Sequence, residues 1–151
     1  LNMNIELISE LESLDCSNMP LFSFDGIKTY ARCVKNYDAD TVTLVLKQNS
    51  EFIKINCRIV GIDSPEMRSK NAELKAHAYA GKQFLSELIL NKIVFVEITN
   101  FDKYGRALIN LYTCDTKENI KDMLIEKKFV VAYTGETKMT DQEQMDYYFS
   151  V

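Results

Sequence analysis

The chain has 151 residues, of which 46% are hydrophobic and 26% charged, with a net charge of −4; it is long enough for one real core and reads as a single soluble globular domain with tails. No apolar run approaches the roughly 18 residues of a membrane span, and the start lacks the basic-then-apolar layout of a secretory signal. A membrane protein is therefore excluded as an expectation and a cytoplasmic location is favoured, with a processed secreted form as the alternative; the chain opens on Leu1, and Met3 is a candidate natural start.

The acidity is uneven. Residues 1–27 hold five acids and no Lys or Arg, residues 139–151 hold three acids and none, and residues 28–138 hold all 18 Lys and Arg against 14 acids. The central part is thus net basic and can attract a polyanion, moderately and in a salt-dependent way. Cys16, Cys33, Cys57 and Cys114 are scattered, without a CxxC pair and away from the lone His77, so they read as reduced structural thiols and not as a zinc site, two disulfides in a secreted form being the alternative.

In chain order, residues 3–14 (MNIELISELESL) place Ile5, Ile8, Leu11 and Leu14 at helical spacing between acids. This predicts a short amphipathic helix whose stripe packs against its own domain, a self or protein-partner contact being the alternative. Residues 1–26 form an acidic helical extension on this reading, with Ser17 to Pro20 as a linker. From Ile27 to Val60 the signal is strand. TVTLVL sets Val42, Leu44 and Leu46 on one face, and FIKINCRI sets Ile53, Ile55, Cys57 and Ile59 on one face with Arg58 opposite, so QNSE between them is a hairpin turn in a three-stranded meander. Ala72 to Leu90 reads as a helix with Leu74, Ala78, Gly81, Leu85 and Leu88 along one side; close packing on the sheet explains a glycine there. His77 on this helix is expected to be structural. Two strands (92–98 and 106–112), a helix (117–128) and a short helical stretch from Thr140 follow. Three strands, helix, two strands, helix fits an α+β, mainly β fold: a five-stranded OB-fold Greek-key barrel with two or three packed helices. The domain is expected over 27–138, with 139–151 as a short helical tail.

Three motifs carry the chemistry: DADTV with Asp40, RIVGIDSPE with Arg58, Asp63, Ser64 and Glu66, and DKYGR with Arg106. Acids that can hold a hard cation and orient a water, beside arginines that neutralise a phosphate, are what metal-assisted phosphodiester cleavage requires. The alternative is a set of structural salt bridges at a barrel rim.

In this order the motifs resemble those of the staphylococcal nuclease (thermonuclease-like) family, over roughly residues 28–138. The resemblance implies a Ca2+-dependent endonuclease that hydrolyses DNA and/or RNA, single strands favoured, by in-line attack of a water that leaves 3′-phosphate ends. It further implies that the Asp40 and Asp63 carboxylates and the Ser64 backbone carbonyl ligate Ca2+. Glu66 would hold the attacking water as general base, and Arg58 and Arg106 would grip the phosphoryl oxygens. Lys103 and Tyr104 match positions that contact a terminal phosphate. Tyr133 matches an aromatic beside the bound nucleotide, a half-buried structural tyrosine being the alternative, and Gly135 stands where the best-known members have a second tyrosine. In the shortened loop after Glu66, Arg68 and Lys70 are either backbone contacts or solvated charges. The competing function is a non-catalytic OB-type module that binds nucleic acid or a protein partner.

Overall fold

The structure is a computed structural model that describes residues 4–150, so Met3 lies outside the described residues. The elements run α1 (Ile5–Ser13), β1 (Lys28–Asp38), β2 (Thr41–Gln48), β3 (Glu51–Ile59), β4 (Ile62–Asp63), α2 (Ala72–Ile89), β5 (Ile93–Phe101), β6 (Ala107–Thr113), α3 (Ile120–Glu126), β7 (Val131–Ala132) and α4 (Asp141–Phe149). Five strands close a barrel in the order β1-β2-β3-β6-β5. The first three form the expected meander; its turn is made by Asn49 and Ser50, both at positive φ (51° and 69°), which gives the tight reversal a twisted hairpin favours. β5 and β6 pair antiparallel, β5 returns to β1, and β6 meets β3 in parallel, with Arg58 opposite Leu108. This is the OB-type barrel anticipated from the order of elements, and every barrel edge is paired.

Alternation along the strands fills the barrel. Val42, Leu44 and Leu46 of β2, Cys57 and Ile59 of β3, Val94, Val96 and Ile98 of β5 and Ile109 and Leu111 of β6 are buried. All four cysteines are free, Cys33 and Cys57 within this core and Cys16 and Cys114 exposed. Burial pushes the Cys57 thiol up to about 12, with the Cys33 sulfur adding to the shift, so both interior thiols are poor nucleophiles.

α2 closes the barrel with Leu74, Ala78, Gly81, Leu85 and Ile89. At Gly81 an added Cβ would lie 3.2 Å from the Ala39 Cβ and 3.3 Å from the Phe129 Cβ, which is the close approach the glycine permits. Asn71 caps the helix by accepting from the Glu73 and Leu74 N–H groups. The helix expected over 117–128 begins later, at Ile120, because Lys117 takes positive φ (53°) and Asn119 caps the new start. The stretch from Thr140 does form a helix, α4, opened by a Thr140/Glu143 capping box. His77 has the structural role expected: its Nε2 lies 2.7 Å from the Lys128 carbonyl oxygen, and its ring packs on Phe129, Tyr148 and Phe149.

The packing expected of α1 is corrected. None of its residues is buried, with Ile5 76% and Leu11 60% exposed. The periodicity makes the helix, but residues 14–23 are exposed throughout, and the chain first meets the core at Phe24, whose ring lies 5.6 Å from Phe101. That exposed lead sets the apolar stripe apart from the barrel.

Candidate active site

The site grows from the reversal between β1 and β2. Two register shifts in β1, between Cys33 and Lys35 and between Asn36 and Asp38, bend its end inward. Asn36, only 6% exposed, holds the bend: its amide donates to the carbonyls of Asp38 (2.5 Å) and Thr41 (3.2 Å), and its oxygen accepts from the Ser86 hydroxyl of α2 (2.6 Å). Ala39 then packs on Gly81 of α2, and Asp40 turns into the protein at 5% exposure. A helix, a bulge and a buried amide thus fix one carboxylate.

Asp40 is the hub. Its Oδ2 accepts from the Ser64 N–H (3.2 Å), the Ser64 hydroxyl (3.1 Å) and Arg58 Nη1 (3.1 Å), and its Oδ1 accepts from the Thr41 hydroxyl (2.9 Å). Arg58 points away from the apolar row of β3, as its position in the alternation requires, and is 16% exposed. Besides Asp40 it donates to the carbonyls of Ile59 (3.2 Å) and Ile62 (3.1 Å) and reaches Asp63 Oδ1 at 3.5 Å. Asp63 is placed by the small β4–β7 ladder, where Ile62 pairs with Ala132 and Asp63 with Val131. Gly61 (φ +82°) makes the turn from β3 into β4.

Arg106 enters from the start of β6, locked by Asp102: its Nε donates to Asp102 Oδ2 (2.7 Å) and its backbone N–H to Asp102 Oδ1 (3.0 Å). Partial burial would raise the Asp102 carboxyl, but the hydrogen bonds from Arg106 and Tyr104 outweigh it and hold the group below the usual carboxylate range. Glu66 differs from the rest. It is exposed, and among the described residues its carboxylate takes no hydrogen bond and no ion pair.

These residues share one cleft of about 340 Å³, which gathers Asp40, Arg58, Asp63, Ser64, Glu66 and Arg106. Tyr37, Asp38, Thr41 and Lys138 also line it. Asp38 is the first acid of the DxD in DADTV and Asp102 the first residue of DKYGR, but a motif assigns neither a contact; Lys138 lies in no motif. Burial, reinforced by the adjacent Asp40 charge, pushes the Asp38 carboxyl up to about 7. Burial likewise raises the Tyr148 phenol, and the charges of Asp63, Tyr147 and Asp40 add to this.

The remaining residues lie around the cleft. Tyr104 is 72% exposed, with the Lys103 ammonium 5.2 Å and the Arg106 guanidinium 5.6 Å from its ring centre. Tyr133 is half-buried, its N–H bonded to the Gly61 carbonyl (2.9 Å), and lines a neighbouring groove of about 530 Å³ with Arg58, Ile62, Leu108 and Gly135. Arg58 borders both spaces. Arg68 and Lys70 line a further groove of about 380 Å³ that shares Glu66 with the cleft.

The donor set suits a hard cation in kind: carboxylates and a backbone carbonyl, with crowded acids whose repulsion a cation would relieve. Among the described residues no three His, Cys, Asp or Glu side chains converge closely enough to hold a metal by themselves. A cation held by Asp40, Asp63 and the Ser64 carbonyl would therefore take its other oxygens from water and substrate, and Arg58, which now spans the two carboxylates, would yield part of that contact.

Residues 56–149, well over half of the chain, match the family model described as staphylococcal nuclease homologue. The match contains Arg58, Asp63, Ser64, Glu66, Lys103, Tyr104, Arg106 and Tyr133 and begins after Asp40. A search of curated proteins finds no match.

Proposed function

The chain belongs to the staphylococcal nuclease family, a nuclease-type or nucleic-acid-binding module, and on that premise we propose that it is a Ca2+-dependent nuclease acting on DNA and RNA, preferably single-stranded. The observation that carries the proposal is the convergence of Asp40, Asp63, Glu66, Arg58 and Arg106 on one open cleft. A non-catalytic module has no need for a carboxylate that is unpaired among the described residues in the same cleft as two arginines, so the composition of the cleft favours the enzyme over a binding-only reading.

Asp40, Asp63 and the Ser64 carbonyl would hold the cation. When bound, Ca2+ supplies positive charge to the scissile phosphate and an ordered water beside it. Glu66, without a protein partner among the described residues, would accept a proton from that water as its oxygen attacks phosphorus. An ordinary carboxylate is a modest base, so orienting the water is as large a part of its role. Arg58 and Arg106 then donate to the phosphoryl oxygens as negative charge builds on them, with Asp102 keeping the Arg106 fork in place. Attack in line with the 5′ oxygen would break the P–O5′ bond; the phosphate, now carrying the water oxygen, stays on the 3′ side, and the 5′ oxygen leaves with the bonding pair and takes up a proton from solvent. Tyr133 offers a ring for a base, which tolerates any sequence, and Lys103 with Tyr104 offers donors for a neighbouring phosphate.

The test is incubation of single-stranded DNA and RNA with the protein in Ca2+, in Mg2+ and in chelator, beside Arg106→Ala. Cleavage in Ca2+ that chelator abolishes, with 3′-phosphate product ends and a loss of at least about a hundredfold in the variant, is the expected result. Equal substrate loss with and without metal would remove the proposal.

A further inference from the structure

Among the described residues, Lys138 is the one cation lining the cleft that no motif contains. It stands in the exposed segment between β7 and α4, with its side chain 57% exposed. Its ammonium is 3.4 Å from Asp63 Oδ1, a carboxylate oxygen that Arg58 already approaches at 3.5 Å, and 5.9 Å from the centre of the Tyr133 ring. Such an exposed, shared pair is weak and easily exchanged. The ammonium thus bridges two places: the acids of the cleft and the aromatic ring of the adjoining groove. Three residues before it, Gly135 carries no side chain, and a Cβ there would have nothing within 4 Å. Beside Arg58, which is tied to Asp40, Lys138 is the loosely held cation on this side of the cleft.

We propose that Lys138 is a substrate-binding residue that contacts the phosphate adjoining the base carried by Tyr133, exchanging Asp63 for that phosphate when a nucleic-acid strand enters. The inference rests on the nuclease reading and deepens it. A strand whose base lies on Tyr133 and whose scissile phosphate lies between Arg58 and Arg106 passes the ammonium on the way. A compact, flexible point charge suits a backbone phosphate and reads no base. Binding on this side then depends on the phosphate charge more than on stacking, so it is tolerant of sequence and responsive to salt.

The experiment measures binding of a fluorescent single-stranded DNA oligonucleotide in Ca2+ across a salt series, on a Glu66→Gln background that preserves the substrate. Lys138→Ala and Lys138→Arg are compared with Lys54→Ala, a lysine exposed on β3 that lines none of the three grooves described, and cleavage by the same variants is followed with Glu66 intact. For Lys138→Ala the slope of log K against log salt is expected to shrink by about 0.7 and affinity at 0.1 M salt to fall about fivefold, the loss of one phosphate contact on a single strand. KM should rise by more than kcat falls, and Lys138→Arg should regain the slope. Lys54→Ala should match its parent. If the unmutated protein cleaves the oligonucleotide while Lys138→Ala keeps its salt slope and KM, the role of Lys138 is overturned and the nuclease reading stands. If the unmutated protein does not cleave, the nuclease reading falls and takes this contact with it.

Discussion

At the floor of the cleft, Asp40 is 5% exposed and tied to Ser64, Thr41 and Arg58, while at its rim Tyr104 is 72% exposed and Lys138 holds one loose contact to Asp63. The floor is held by the same bonds that hold the protein: the Asn36 brace, the Ala39–Gly81 contact and the β4–β7 ladder. The rim hangs on turns and an open segment. Substitutions on the floor should therefore change stability and chemistry together, whereas those at the rim should change affinity alone.

The sharpest division is expected at Arg58→Ala. Removing the guanidinium leaves Asp40 and Asp63 without their shared cation in a part-buried setting, so unfolding in chelator should be easier by about 3 kcal/mol, and cleavage should fall by at least about a hundredfold. A thermal melt unchanged from the parent would erase the distinction between floor and rim. Next comes Asn36→Ala, which touches no proposed ligand but strips the bend of its brace; denaturant unfolding should register a loss of about 1–3 kcal/mol, with weaker metal binding because Asp40 is no longer fixed. At the rim, Tyr133→Ala should weaken single-strand binding by about 1–2 kcal/mol while leaving the melting temperature near that of the parent. A larger effect on stability than on binding would return Tyr133 to a structural role. The smallest change is expected at Asp38→Asn, which keeps the acceptor for the Asp40 N–H but removes one of two crowded carboxyls. It should raise stability in chelator by about 0.5 kcal/mol, as relief of a functional site often does.

The same division explains what the sequence disclosed. Floor residues lie on strands, where alternation assigns a face: Arg58 opposite Cys57 and Ile59 was legible at once, as were the barrel and the reason for Gly81. Asp38 was harder, because the bulge between Asn36 and Asp38 breaks the alternation that would have placed it. Asn36 itself reads as an ordinary strand residue until its bonds to Thr41 and Ser86 are seen, and neither contact has a local signature. Lys138 reaches the cleft only because Tyr133 is tied to Gly61 and the segment beyond it runs past Asp63, a proximity across 75 residues of chain. At α1 the periodicity reveals the helix and its apolar stripe, but a hydrophobic face does not say what it faces, and here the stripe is left exposed.

Glu66 belongs to neither region: it is exposed like the rim, set within the cleft like the floor, and, among the described residues, unbonded to either. The decisive comparison is therefore the single-turnover cleavage of single-stranded DNA in Ca2+ by the protein and by Glu66→Gln, with melting temperature and oligonucleotide affinity recorded for both. A rate lowered by about 10²–10⁴ with stability and affinity retained is expected of a residue that handles the attacking water. A Glu66→Gln protein that cleaves within threefold of the parent would contradict the proposed chemistry.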